Sequence, residues 1–331
     1  MNRKYLVTGA TGFIGSAIVR ELARAGNTVH CLVRDFKKAE SIKGNGIILF
    51  RGDILDYSSV RAAAEGCSAL FHTAAFTRVS GSDREISDLN ITGTETVFRA
   101  ASDAGIKNAV FTSTAGVFGP SAGGEVNESS QRTHPYFIKY EETKAVAEQR
   151  AFSFSESGMR VVVVNPTRVY GPGPLSGSNS VTKMLCGYSE GKWRIIPGNG
   201  KSIGNYVWLE DVVRGHILAM EKGKAGERYI LGGENADFNT FFRKVAEVSG
   251  KKFMMIRIPA GAMIFLASII SGLAHAFSKT PLITPGLAKR YLYNWRLSSE
   301  KAEKELGYNH ASLYEGIRLT LNWYSAGSSR K

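Results

Sequence analysis

The sequence predicts an α/β fold built on a doubly wound parallel sheet, and three observations lead to that reading. Short apolar runs alternate with amphipathic helical patterns through the first half of the chain. Several of those runs are apolar throughout rather than alternating, as strands buried on both faces are. A glycine-rich loop stands at the first strand–helix junction, where folds of this kind receive phosphates.

The elements follow in order. "KYLV" reads as the first strand and "FIGSAIVRELARAG" as the first helix, because Ile14, Ile18 and Leu22 recur every four residues and Gly26 stops the pattern. "TVHCLV" (28–33), "GIILFRGDI" (46–54) and "CSALFHTAAF" (67–76) are the next strands. A long helix is expected around 84–105, a fifth strand in "KNAVFTSTA" (107–115), and a helix over 137–157. "RVVVVNPTRVYGP" (160–172) reads as one continuous apolar strand closed by Pro and Gly. The second half is less regular, with a Gly-rich "IPGNGKSIGN", a strand-like "ERYILGG" (227–233), an apolar segment at 259–277 and a C-terminal "LSSEKAEKELGY". There is no repeat and no low-complexity tether, so two interleaved lobes are expected. A dinucleotide-binding lobe would take 1–168 plus about 205–232. A smaller substrate lobe would take about 169–204 plus 233–331.

The composition, 43% hydrophobic and 21% charged, fits a soluble globular protein of one large domain or two lobes around a cleft. The net charge of +13 is spread along the chain without a polybasic block or basic–aromatic array. That argues against a nucleic-acid partner and suits a phosphorylated cofactor. Cys31, Cys67 and Cys186 are far apart and odd in number, which suggests a reducing, cytoplasmic compartment. The six histidines are scattered, so no metal site is expected. Residues 259–277 contain no Asp, Glu, Lys or Arg, and the stretch just reaches the length of a membrane span. Pro259 and two internal glycines favour a buried helix; a lining for a greasy substrate and a peripheral membrane contact are the alternatives.

Gly9, Gly12 and Gly15 form a G-x-x-G-x-x-G loop, in which missing side chains let the backbone approach a pyrophosphate and the helix N-terminus offers free N–H groups. Gly9, Thr11, Gly12, Phe13, Ile14 and Gly15 are therefore cofactor-binding candidates. NAD-type sites place a carboxylate at the end of the second strand. Here the stretch is "LVRDFKK", with Arg34 at the end and Asp35, Lys37 and Lys38 behind it. A guanidinium fits a 2′-phosphate, so NADP(H) is expected; one residue of register would make Asp35 an NAD-type acid, which keeps NAD as the alternative. In "YEETK", Tyr140 and Lys144 are four apart and share a helix face. The stretch can be a Glu141–Lys144 surface ion pair or a proton-transfer pair. Lowering a phenol pKa of about 10 by three units needs roughly 4 kcal/mol. An ammonium about 5 Å away at an effective dielectric of 20 supplies on the order of 3 kcal/mol.

Taken together, the Gly loop, "GDI" (Gly52–Ile54), "HTAA" (His72–Ala75), Asn90 in "NITGT" and Tyr140–Lys144 resemble the extended short-chain dehydrogenase/reductase family, also called the NAD-dependent epimerase/dehydratase family, in that family's order and over nearly the whole chain. The resemblance implies a Rossmann lobe with a smaller C-terminal substrate lobe and a small-molecule substrate. It implies Asp53 and Ile54 at the adenine, Ala74 and Ala75 beside the ribose and phosphates, and Pro166 against the cofactor. Tyr140 and Lys144 would be catalytic and touch the cofactor. The Thr114–Gly119 spacing would make Thr114 the catalytic hydroxyl and Ser113 its cofactor-side neighbour, and Asn90 would hold a relay water. Glu141 and Glu142 would then face outward. A homodimer through a bundle that includes the Tyr–Lys helix is also implied.

"NPTRVYGPGPL", "TSTAG", "GERYILGGEN" and "SSEKAEKELGY" resemble the dihydroflavonol-reductase-like branch, which includes bacterial hopanoid-associated sugar epimerase-like proteins. The nucleotide-sugar branch carries a phosphate-clamping arginine where Gly204 stands, so that clamp is expected to be missing. The function expected is an NADP(H)-dependent interconversion of a ketone and a secondary alcohol on a bulky, fairly apolar substrate. A sugar epimerase or dehydratase is the alternative, and a non-catalytic cofactor sensor a minor one.

Overall fold

The computed structural model describes residues 3–77, 81–173, 175, 179–277, 281 and 283–328. The first half runs β1 (Lys4–Thr8), α1 (Phe13–Arg24), β2 (Thr28–Val33), α2 (Phe36–Ala39), β3 (Ile47–Arg51), α3 (Tyr57–Ala64), β4 (Ala69–His72), α4 (Asp83–Ser87), α5 (Gly93–Asp103), β5 (Asn108–Thr112), α6 (Lys139–Glu156) and β6 (Arg160–Pro166). These strands, joined later by one more, form a seven-stranded parallel sheet. Leu6, Val7, Leu70, Phe71, Val110 and Val162 are sealed from solvent, which is why these strands are apolar on both faces.

The second half runs β7 (Arg168–Tyr170), α7 (Ser180–Ser189), β8 (Ile195–Pro197), β9 (Ile203–Trp208), α8 (Leu209–Lys222), β10 (Arg228–Leu231), β11 (Glu234–Asp237), α9 (Phe238–Ser249), β12 (Ile256–Ile258), α10 (Ala260–Ala276), α11 (Pro285–Leu292), α12 (Glu300–Leu306) and α13 (Leu313–Ser328). The large sheet has the order β10-β6-β5-β4-β1-β2-β3, and the strand order reverses between β1 and β4. That switch point is where a crevice opens at the carboxyl ends of the strands.

One face of the sheet carries α1 and α8, with Ala302, Leu306 and Tyr308 added from the C-terminal region. The other carries α3, α5 and α6. A separate core joins α7, α9 and α13 around Tyr206 of β9.

Three features differ from the expected elements. The helix expected at 84–105 is α4, one π turn at Asp88–Thr92, and α5. The apolar run 160–172 is two strands: β6 stays in the large sheet, whereas β7 leaves it to pair with β9 in a small sheet of order β11-β9-β7. Pro174, just beyond that run, lies outside the described residues. The division of the lobes also shifts. Residues 203–208 belong to the small sheet through β9, and α12 packs on the dinucleotide side, because Ala302 and Leu306 complete the core under α8.

Candidate active site

A cleft of about 560 Å³ lies at the switch point. At its phosphate end, Gly9 has φ +70°, and a Cβ there would sit 2.6 Å from the backbone nitrogen of Ala74. A Cβ on Gly15 would sit 2.3 Å from the Gly9 carbonyl oxygen. Both positions therefore exclude any side chain. Gly9, Thr11, Gly12, Phe13, Ile14, Gly15, Ala74 and Ala75 all line the cleft. Gly12 caps α1 with no side-chain bond, and no acid occupies the first turn, so its N–H groups are left for an anion.

At the end of β2, Arg34, Asp35 and Lys38 line the cleft with Gly52 and Ile54. Asp35 Oδ1 accepts from the Lys37 backbone N–H at 2.9 Å, so this carboxylate caps α2. The Arg34 side chain is 71% exposed and lies 3.9 Å from Asp53 Oδ2, an exposed pair of little energetic worth. Asp53 is not among the lining residues; its Oδ1 accepts from the Leu55 N–H.

The other end holds Ser113, Thr114, Tyr140 and Pro166. Thr114 Oγ1 accepts from the Gly116 N–H at 3.1 Å, which leaves its own O–H to donate to a ligand. Lys144 is one turn along α6, behind the lining residues rather than among them, fully buried, with Nζ 3.8 Å above the Phe111 ring. Nζ has no hydrogen-bond partner. Burial pushes this ammonium down to about 7 against the opposing pull of Glu148. A buried cation without an acceptor is costly, and a cofactor ribose would supply one. Together with the bare α1 N-terminus and the two glycines, Lys144 makes the residues present fit a nicotinamide dinucleotide.

Tyr140 does not match the electrostatic expectation. Burial pushes its phenol up to about 12, and the cation that opposes this is Arg290, not Lys144. Asn90 is buried and is not among the lining residues. It sits in the π turn, where Oδ1 accepts from the Phe76 N–H at 2.7 Å and Nδ2 donates to Thr143 Oγ1 at 3.0 Å. Its side chain thus clasps the segment after β4 to α6, one residue before Lys144.

Glu141 corrects the sequence reading outright. It does not face outward: its side chain is 1% exposed. Oε1 accepts from Arg290 Nε at 2.7 Å, and Oε2 accepts from Arg132 Nη2 at 3.4 Å and the Phe137 N–H at 3.3 Å. The loop at 132–137 and α11 fold over the start of α6 and bury what a lone helix would expose. The Glu141–Lys144 ion pair is therefore absent, while Glu142 pairs at the surface with Lys139.

The expected gap at Gly204 is also filled. A Cβ there would sit 2.3 Å from Nη1 of Arg168, which reaches in from the neighbouring strand β7. Arg168 donates to the Tyr206 hydroxyl at 3.2 Å and lies 5.4–5.5 Å from the Tyr206, Phe238 and Tyr291 rings. It lines the cleft with Arg290 and Tyr291, and its Nη2 has no partner. No motif flags Arg290 or Tyr291; only the fold of a helix some 150 residues downstream brings them here.

The family model for the NAD dependent epimerase/dehydratase family matches residues 5–232. The chain is 31% identical to "Sterol demethylase protein B" of Methylococcus capsulatus, over 96% of this chain and 97% of that protein. It is 29% identical to the 4-hydroxy-2-methyl-3-oxo-4-farnesyl-3,4-dihydroquinoline-1-oxide ketoreductase of Stigmatella aurantiaca, over 91% and 90%. A UDP-glucose 4-epimerase structure from Thermotoga maritima shares the fold, with a TM-score of 0.82 at 24% identity over 98% and 99% of the two chains. The chain belongs to the NAD-dependent epimerase/dehydratase family, and is an NAD(P)-dependent oxidoreductase or epimerase.

Proposed function

We propose that this member of the NAD-dependent epimerase/dehydratase family interconverts a ketone and a secondary alcohol on a bulky, largely apolar small molecule, with NADP(H) as redox partner. The observation behind it is the cleft itself: Tyr140 and Thr114 line it together with the glycine loop. When bound, the nicotinamide supplies or accepts a hydride. Thr114 donates a hydrogen bond to the substrate oxygen and fixes its position. Tyr140 gives that oxygen a proton in reduction and removes it in oxidation. A phenol held near 12 stays protonated at neutral pH, so the protein alone is set for reduction, where a strongly basic alkoxide develops beside it. Arg290 is the cation that eases formation of the phenolate in the reverse direction.

Two observations support the finer assignments. Arg34 and Lys38 line the cleft while the Asp35 carboxylate is engaged in capping α2, which favours a 2′-phosphate over a bare ribose. The sterol and farnesyl names of the two relatives favour a lipophilic substrate. A sugar-nucleotide epimerase has one observation in its favour: the unpartnered Nη2 of Arg168, near Arg290, could receive a phosphate. The test is turnover of NADPH and NADH on sterol, isoprenoid and aromatic ketones beside UDP-glucose. Consumption of NADPH with a lipophilic ketone supports the proposal. Epimerisation of the sugar without net cofactor consumption overturns it.

A further inference from the structure

The outer face of α10 is apolar, exposed and large. Phe265, Leu266, Ile269, Ile270, Leu273 and Phe277 point outward in a row repeating every four residues, with Phe265 at 65% and Phe277 at 71% exposure. The inner face, through Met263 and Ala267, packs on Ala288 of α11. An apolar surface of this kind marks a contact site.

The segment that carries it is one-sided in charge. Between Glu247 and Glu300 the chain has seven Lys and Arg residues and no Asp or Glu. Lys252, Arg257 and Lys289 are exposed, and among the described residues none of them forms an ion pair.

We propose that this face docks on an anionic lipid bilayer, with α10 lying in the interface. A bilayer supplies both things the surface asks for, an apolar layer and a negative rim. A second copy of the chain meeting this face would set one basic segment against another. The helix does not span: 17 residues reach about 26 Å, short of the roughly 30 Å core, and one side is already committed to α11. No helix among the described residues is long and apolar enough to cross a membrane. The contact also sits at the substrate side of the cleft. α11, which packs under α10, contributes Arg290 and Tyr291 to the cleft lining, so the bilayer lies one helix from the substrate end. This inference goes beyond the proposed reaction and stands on the surface alone.

Co-sedimentation of the full chain with vesicles of phosphatidylcholine, with and without phosphatidylglycerol, tests it. The wild type is expected to sediment with the phosphatidylglycerol vesicles and to be released by salt. Phe265→Ser with Leu273→Ser is expected to weaken binding about tenfold or more. Both side chains are exposed, so the melting temperature and NADPH binding of this variant report that the fold is kept. Lys252→Glu with Lys289→Glu is expected to abolish the preference for phosphatidylglycerol. The proposal is overturned by a wild type that stays in the supernatant with both vesicles. Wild-type-like binding of the serine variant overturns it too, as does light scattering in which that variant halves the mass of a wild-type dimer. Vesicle binding is read without turnover, so its failure and that of the proposed reaction are separate results.

Discussion

Lys144 carries the sharpest residue-level consequence. Its folded pKa of about 7 lies below the ordinary 10.5, so between those values the unfolded chain binds more protons than the folded one. Stability must therefore rise with pH across that window. Lys144→Met removes the penalty: denaturant unfolding without added cofactor is expected to show a stabilised variant at neutral pH with a flatter profile up to pH 10. Its turnover is expected to fall by about 100-fold or more. A variant that is less stable at pH 7, or equally pH-dependent, contradicts the burial argument. Glu141 gives the opposite test. Glu141→Gln leaves Arg132 and Arg290 facing a neutral group, and is expected to destabilise by about 2–4 kcal/mol. Glu142→Gln at the surface should stay within about 0.5 kcal/mol. At the end of β2, Arg34→Ala is expected to raise the KM for NADPH about tenfold and leave that for NADH nearly unchanged. Equal effects on both cofactors would remove the support for NADP(H). Tyr140, Thr114 and the glycines, expected at the site from the glycine loop and the family resemblance, all line the cleft. Glu141 was misread because its partners come from 132–137 and from α11, which helical periodicity does not register.

At the scale of elements, α11 is the piece that completes the cleft, and its docking is tight. A Cβ on Gly286 would lie 2.0 Å from the Phe137 carbonyl oxygen, just before the Tyr140 helix. Gly286→Ala should therefore lower the melting temperature and raise the substrate KM, although alanine favours a helix by about 1 kcal/mol. Gly272→Ala in α10 has nothing within 4 Å of the added carbon and is expected to stabilise instead. If both substitutions stabilise, α11 is not seated against Phe137 as described. The same scale explains two misreadings. The 84–105 helix kept its apolar period but gained a π turn at Asp88–Thr92, which turns Asn90 inward to its bonds with Phe76 and Thr143. The 160–172 run kept its apolar character but broke after Pro166, because β7 finds its partner in β9 rather than in the large sheet. Composition along one strand carries no record of which neighbour it will pair with.

At the scale of the molecule, the doubly wound sheet was legible because burial on both faces forces uniformly apolar strands. The glycine loop marked where the crevice would open. The part of the cleft lined by Arg168, Arg290 and Tyr291 was not legible: they converge from β7 and α11 through tertiary packing alone. Arg168 filling the space at Gly204 shows how a missing side chain at one position can be answered from the adjacent strand. The central claim is that Tyr140, Lys144 and Thr114 carry out net hydride transfer between a dissociable cofactor and a ketone. The direct measurement is the fate of deuterium from C4-labelled NADPH, with a lipophilic ketone as acceptor. The label should appear on the new carbinol carbon, one per NADPH oxidised, and Tyr140→Phe should lose about 100-fold or more of that rate. Sugar epimerisation that consumes no NADPH and leaves the label on the cofactor, or full activity in Tyr140→Phe, would contradict the account.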